Sequence, residues 1–182
     1  MTSEPFAAVS PADARVLVGS FVGHSLLHLK HKFFEYEELF AGRQSWTEIF
    51  EGGDYLIFRL TPDKYHYNHT PVAGRVLDVY TVDGDYHSCN PGAAMIVATP
   101  YSKNRRVVTI IDTDVPGGTR VGLVAMIEVV ALMIGEIVQC YSAKEYDQPQ
   151  DVVPGMFLDR GCPKSLFRPG SSTTVLVFEP GR

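Results

Sequence analysis

The chain has 182 residues, 45% of them hydrophobic and 20% charged, with a formal net charge of −5. That length can bury a core of ordinary size, and the balance excludes a disordered chain, a coiled coil or a collagen-like fibre. The acidic balance also argues against a general nucleic-acid binder and gives no electrostatic pull toward anionic membrane. Sixteen Gly and twelve Pro punctuate the sequence, which favours short strands and turns over long helices. The three cysteines, Cys89, Cys140 and Cys162, form no C-x-x-C pair, as expected of a reducing compartment without a zinc site. No apolar run precedes the first basic residue, Arg15, so no secretory signal is expected.

In chain order, the turn Ser10-Pro11-Ala12-Asp13 leads into a predicted strand over Val16–Val22. Two short helices are expected over Phe33–Phe40 and Trp46–Phe50, and Gly52-Gly53-Asp54 ends that region before a strand over Tyr55–Leu60. Further strands are predicted at Val72–Val82, Ala94–Thr99, Arg106–Asp112, Arg120–Ile127, Ala131–Tyr141 and Thr174–Glu179. The longest apolar stretch, Val121–Val138, is interrupted by Glu128 and Glu136. A carboxylate in the middle of a membrane span costs about 2.5–3.5 kcal/mol, so the stretch reads as buried strand material and the protein as cytoplasmic. Lys144–Pro169 holds four prolines and is expected to be mostly loop. No internal repeat is visible. The pattern predicts a single domain over residues 1–182, α+β but mainly β, as a sandwich or barrel-like sheet with a few short helices.

Two segments could carry chemistry. In the first, Arg59-Leu60-Thr61-Pro62-Asp63-Lys64-Tyr65-His66-Tyr67-Asn68-His69-Thr70-Pro71, two histidines three apart sit in an aromatic and polar stretch. The spacing could hold a metal on a helix, but flanking prolines and the lack of a further ligand cluster argue for none. The plainer alternative is a pair of loop histidines making hydrogen bonds. The second segment, Phe167-Arg168-Pro169-Gly170-Ser171-Ser172-Thr173-Thr174, precedes the closing strand. It lacks the lysine and following helix of a phosphate loop and the second glycine of a nucleophile elbow. By itself it reads as a solvated turn.

Taken together and in order, these segments and four others give the chain a clear likeness. Ser10-Pro11-Ala12-Asp13, Lys30 through Leu39, the Arg59–Gly74 histidine segment, Asn104-Arg105-Arg106-Val107, Glu128 through Ile137 and Phe167–Thr173 all take part. The chain resembles the phosphatidylserine decarboxylases and their relatives, which are pyruvoyl-dependent decarboxylases. The resemblance implies self-cleavage between Ser171 and Ser172, with Ser172 as nucleophile and as precursor of the pyruvoyl cofactor. It implies His69 as the base, Asp13 as the carboxylate that holds it, and His66 as the acid or positioning group of the decarboxylation, which runs through a Schiff base. Ser171 is the competing nucleophile, and it replaces the glycine usual before the cleaved serine. Ala14 and His31 likewise replace glycines, and Tyr67-Asn68 stands where an arginine and a bulky residue are usual.

The implied substrate bears an amino group and is either phosphatidylserine or a soluble amino acid derivative. Membrane contact is expected to be peripheral at most, because the stretch before Asp13 is too short for the helices that membrane-acting members carry. The chain then reads as a short member or as a truncated one. The resemblance also leaves room for a homodimer. The alternative is an unprocessed, non-catalytic member acting as a binding protein, and a zinc hydrolase using His66 and His69 is a distant third.

Overall fold

The computed structural model describes residues 4–22, 26–29, 32–61, 63, 65–84, 104–130, 136–168 and 172–182. In chain order the elements are β1 (Arg15–Ser20), β2 (Leu26–Leu29), β3 (Lys32–Glu35), α1 (Tyr36–Leu39), α2 (Gln44–Phe50), β4 (Asp54–Leu60) and β5 (Tyr67–His69). They continue with β6 (Gly74–Val82), β7 (Arg106–Asp112), β8 (Leu123–Val130), β9 (Ile137–Gln139), β10 (Phe157–Leu158), β11 (Pro163–Phe167) and β12 (Ser172–Phe178). The fold is α+β and mainly β. A seven-stranded antiparallel sheet runs β1-β4-β12-β8-β7-β6-β10, a smaller one runs β5-β11-β9, and β2 pairs with β3. Among the described residues the large sheet is open, with β1 and β10 as its edges.

The middle strands explain the continuous apolar runs of the sequence. β7, β8 and β12 are buried on both faces, so nearly every position wants an apolar side chain rather than every second one. On one face Ile57, Val108, Ile110, Ala125, Ile127, Val129, Val175 and Val177 pack under Phe21, Tyr36, Leu39, Phe40 and Phe50. Phe40 and Phe50 stack there with ring centroids 5.3 Å apart, and truncating either to Ala would cost about 3–5 kcal/mol. Arg106 reaches the same layer from β7. Its buried guanidinium donates to the carbonyls of Glu38, Leu39 and Asn104; it pairs the Leu39 carbonyl at the end of α1 and adds a second donor at Glu38, which also accepts from the Ala41 N–H. On the other face lie Phe58, Met126 and Leu176 and, beyond them, a cluster around Val72, Val76, Ile111, Val124, Tyr141, Val152 and Leu158. The small sheet covers this face too, and the hydrogen bonds described below join it to β8 and β12.

Several expectations shift. Only Tyr36–Leu39 of the expected helix over 33–40 is helical, because Lys32–Glu35 pairs antiparallel with Leu26–Leu29. Aromatic residues suit such a pairing, and the tertiary partner decides. The strand expected from Arg120 begins at Leu123, since Arg120 (φ 60°) and Gly122 (φ 74°) turn the chain just before it. The stretch expected to be loop contains β10 and β11. Pro163 opens β11 against His69, where a strand tolerates a residue without an N–H, and a register shift follows before Ser165. Of the strand expected over 131–141, β9 is described. The strand expected over 94–99 lies outside the described residues.

Candidate active site

β5 is only three residues long, and its neighbours hold it. The His69 N–H donates to the Pro11 carbonyl at 2.7 Å, which brings the segment that ends at Asp13 alongside the histidine. The His69 ring is held at both nitrogens. Nδ1 lies 2.7 Å from the Gly161 carbonyl, and a carbonyl only accepts, so Nδ1 carries the proton. Nε2 is then the free base nitrogen, and it accepts from the Tyr65 hydroxyl at 2.9 Å. Tyr65 in turn lies 2.5 Å from the Tyr146 hydroxyl. Burial, together with the hydrogen bond to Tyr146, raises the Tyr65 phenol above its ordinary value, so it stays a proton donor at neutral pH. His66 is half-buried just before β5, and its carbonyl accepts from the Phe167 N–H at 3.0 Å. Asp13 is exposed in the bend two residues before β1.

Between the histidines, Asn68 points the other way, into the space between the sheets, and is fully buried. Its Nδ2 donates to Glu128 Oε1 at 3.3 Å and to Ser165 Oγ at 3.2 Å, while its Oδ1 accepts from Thr174 Oγ1 at 2.8 Å. Glu128 also accepts from Ser165 Oγ, from Gln139 Nε2 at 3.2 Å and from Lys164 Nζ at 2.7 Å. Both charged side chains of that pair are wholly buried. A carboxylate taken out of water survives only when its lone pairs are filled, and here four donors fill them. This network fastens β5, the histidine strand, to β8 and β12.

Ser172 opens β12 between Leu60 of β4 and Val130 of β8. It is 2% exposed, and its Oγ has no hydrogen-bond partner among the described residues. Ser172 is two residues from Thr174, so both side chains face the small sheet. The structure therefore brings the two histidines and the approach to Asp13 onto one sheet and sets Ser172 on the facing one. The bridge between them runs through Thr174 and Asn68, and no hydrogen bond joins Ser172 Oγ to His69. Ser171 lies outside the described residues.

Sequence reasoning missed Tyr65, Tyr146 and the Glu128–Lys164 pair as members of this site. A glutamate inside an apolar run signals a buried charge in need of a partner, but only the fold shows that the partner is Lys164. Among the described residues no group of three or more His, Cys, Asp or Glu could hold a metal. Burial raises the thiol pKa of both Cys140 and Cys162, the reverse of what an activated nucleophile needs. No helix among the described residues is long and apolar enough to cross a membrane.

Known proteins place this arrangement. The family model for phosphatidylserine decarboxylase matches residues 1–182. A phosphatidylserine decarboxylase proenzyme of Ruminiclostridium cellulolyticum is 31% identical over 94% of this chain and 52% of its own length. One from Saccharophagus degradans is 30% identical over the whole chain and 64% of its own length. One from Chlamydia trachomatis is 33% identical over 96% of the chain and 52% of its own length. The chain thus spans between half and two-thirds of the length of these curated relatives. It belongs to the phosphatidylserine decarboxylase family.

Proposed function

We propose that the chain is a self-processing, pyruvoyl-dependent carboxy-lyase acting on a substrate that bears an amino group. The observation that carries this reading is the buried Ser172 hydroxyl, without a partner among the described residues, at the head of a central strand that faces the histidine sheet. A buried hydroxyl left unpaired costs about 1–3 kcal/mol, which is hard to explain in a purely structural serine. In processing, His69 takes the proton of the Ser172 hydroxyl as Oγ attacks the carbonyl carbon of Ser171, exchanging the C–N bond for an ester. Loss of the Cα proton of residue 172 then expels the carboxylate of Ser171, and water releases the nitrogen as ammonia. His69 suits the first step because its Nδ1 is committed to Gly161 and its Nε2 lone pair is available once Tyr65 yields it. Asp13 supports His69 from the segment that Pro11 anchors.

The site fits a pyruvoyl group at position 172, since a carbonyl and a methyl need no more room than the serine they replace. Such a group supplies the conjugated carbonyl that accepts the electron pair left as carbon dioxide departs. His66 delivers a proton to the substrate carbon. The reading carries with it a single domain over residues 1–182, no metal, no nucleic-acid partner, a cytoplasmic site of action with at most peripheral membrane contact, and a homodimer as a possible assembly.

The intact mass of freshly purified, denatured protein tests it. Two fragments are expected, one ending at Ser171 and one starting at a pyruvoyl-capped position 172. His69→Ala should slow cleavage about 10²- to 10⁴-fold, the range that a positioned base supplies. His66→Ala should cleave and then fail to release carbon dioxide. Normal processing of His69→Ala would remove His69 from its role. The unbonded Ser172–His69 pair favours a second reading, an unprocessed binding protein, and a single uncleaved mass would support it.

A further inference from the structure

His69 is the candidate base, yet neither of its ring nitrogens is free to receive the proton of Ser172. Nδ1 donates its own proton to the Gly161 carbonyl, so the one in-plane lone pair of the ring is on Nε2, and the Tyr65 hydroxyl fills it at 2.9 Å. Because Tyr65 gives its only proton to His69, its 2.5 Å contact with Tyr146 runs the other way, with the Tyr146 hydroxyl donating. Tyr67 braces the pair, its ring stacked on Tyr65 at 5.4 Å between centroids and edge-on to Tyr146 at 5.3 Å. Tyr146 comes from far along the chain, at the tip of a tight hairpin closed by Tyr141 with Gln150 and by Lys144 with Asp147. The Ser142 hydroxyl fastens the hairpin again by donating to the Asp147 carbonyl. On either side of Tyr146, Glu145 (φ 59°) and Gln148 (φ 53°) occupy the left-handed region without being glycine. Such residues cost free energy and persist only where their surroundings hold them, and here that cost is placed on the residues that aim Tyr146 at Tyr65.

We propose that Tyr65, seated by Tyr146, is a positioning residue of self-processing that masks the base nitrogen of His69 until the hairpin of residues 141–150 releases it. This rests on the self-processing reading and adds what restrains its first step. While Tyr65 donates to Nε2, the proton of the Ser172 hydroxyl has no acceptor on His69, and Oγ stays a poor nucleophile. That agrees with Ser172 Oγ standing without a partner among the described residues. Release needs little disruption. Tyr65 and Tyr146 are 42% and 54% exposed, so both hydroxyls can turn to water without leaving an apolar core. The left-handed residues at the tip favour that opening, since they relax when the hairpin lets Tyr146 go. Once Tyr65 has turned, Nε2 takes the Ser172 proton as Oγ attacks, and the same proton passes to the departing nitrogen, so His69 ends the acyl shift neutral. Removing a tyrosine that only holds structure speeds nothing, whereas removing a mask does, so the sign of the effect separates the two.

The test follows cleavage of the full chain from cell-free synthesis, quenched in denaturant and read by mass. Tyr65→Phe should process roughly two- to tenfold faster than the wild type, the range set by the net worth of one hydrogen bond. Tyr146→Phe should also be faster but by less, because Tyr65 then keeps its bond to Nε2 without the reinforcing donor. The second readout is the nitrogen NMR resonance of His69 Nε2 in isotope-labelled protein carrying Ser172→Ala, which stays uncleaved. Adding Tyr65→Phe should move that signal toward a pyridine-type nitrogen free of hydrogen bonds. If Tyr65→Phe does not fold, Tyr146→Phe carries the same comparison. Wild-type cleavage with no gain in either variant, or an Nε2 signal unmoved by Tyr65→Phe, would overturn the proposal and leave the self-processing reading standing. Cleavage of Tyr65→Phe while the wild type stays intact would support the mask and the reading together. No cleavage in any of these chains, with Nε2 found free in Tyr65→Phe, would end the self-processing reading and the mask with it.

Discussion

At the scale of single residues, the costliest group in the site is the buried Lys164–Glu128 pair. Each of these ions gives up several kcal/mol of hydration on burial, and the 2.7 Å contact with its surrounding donors returns most of that. The pair is therefore a poor source of net stability but a strong constraint on geometry. Lys164 and Ser165 on β11, Gln139 on β9 and Asn68 on β5 all converge on one carboxylate of β8. Removing one partner leaves the other charge buried and alone. Lys164→Met is expected to cost about 3–5 kcal/mol in urea unfolding, and adding Glu128→Gln should recover a large part of that. A double variant no more stable than Lys164→Met alone would mean that hydrogen-bond geometry, not the stranded charge, sets the cost.

At the scale of elements, β1 is the weak edge of the large sheet. Val16, Leu17 and Val18 are 51%, 42% and 71% exposed, and the strand has neither a proline nor an inward-facing lysine to discourage pairing. Alternate residues of this strand point to opposite faces, so its apolar groups are exposed on both sides. Val18→Lys should change stability by no more than about 0.5 kcal/mol, as for other exposed positions. It should also reduce concentration-dependent association in sedimentation velocity; unchanged association would show that copies meet elsewhere. The strands that sequence reasoning located best are those with long apolar runs. Arg106–Asp112 matches β7 at both ends, and Tyr55–Leu60 misses only the first residue of β4. Tyr67–His69 was not legible as a strand, because three residues carry no period and its pairing to β11 spans a long stretch of chain. Pro163–Phe167 was hidden by its leading proline. The same holds for the site. The histidines and Ser172 announce themselves by local spacing, whereas Glu128 with Lys164, and Tyr65 with Tyr146, meet only because distant segments lie side by side.

At the scale of the whole molecule, tyrosine hydroxyls hold the covering segments together, and Tyr80 of β6 fastens the helical layer to the large sheet. The Tyr36 hydroxyl donates to the Thr47 carbonyl and Tyr80 to the Phe40 carbonyl at 3.1 Å, on the helix side. On the opposite side the Tyr141 hydroxyl donates to Asp159 Oδ2 at 3.4 Å and accepts from the Asp159 N–H at 2.9 Å. Burial pushes Tyr80 and Tyr141 up to about 12 from the ordinary 10.0, and burial with Glu51 and Glu37 nearby raises Tyr36 as well. These folded values lie above the unfolded one. Beyond about pH 10 the unfolded chain therefore sheds tyrosine protons that the folded chain keeps, and unfolding becomes easier as pH rises. The tyrosine contribution should be fully present below pH 10 and decline toward pH 12. Tm measured against pH, with tyrosinate absorbance followed in parallel, tests this, and Tyr80→Phe with Tyr141→Phe should flatten the alkaline slope. An unchanged slope in the double variant would assign the alkaline loss to growing negative charge on an already acidic chain. A flattened slope would show that both layers are released by the same ionisation.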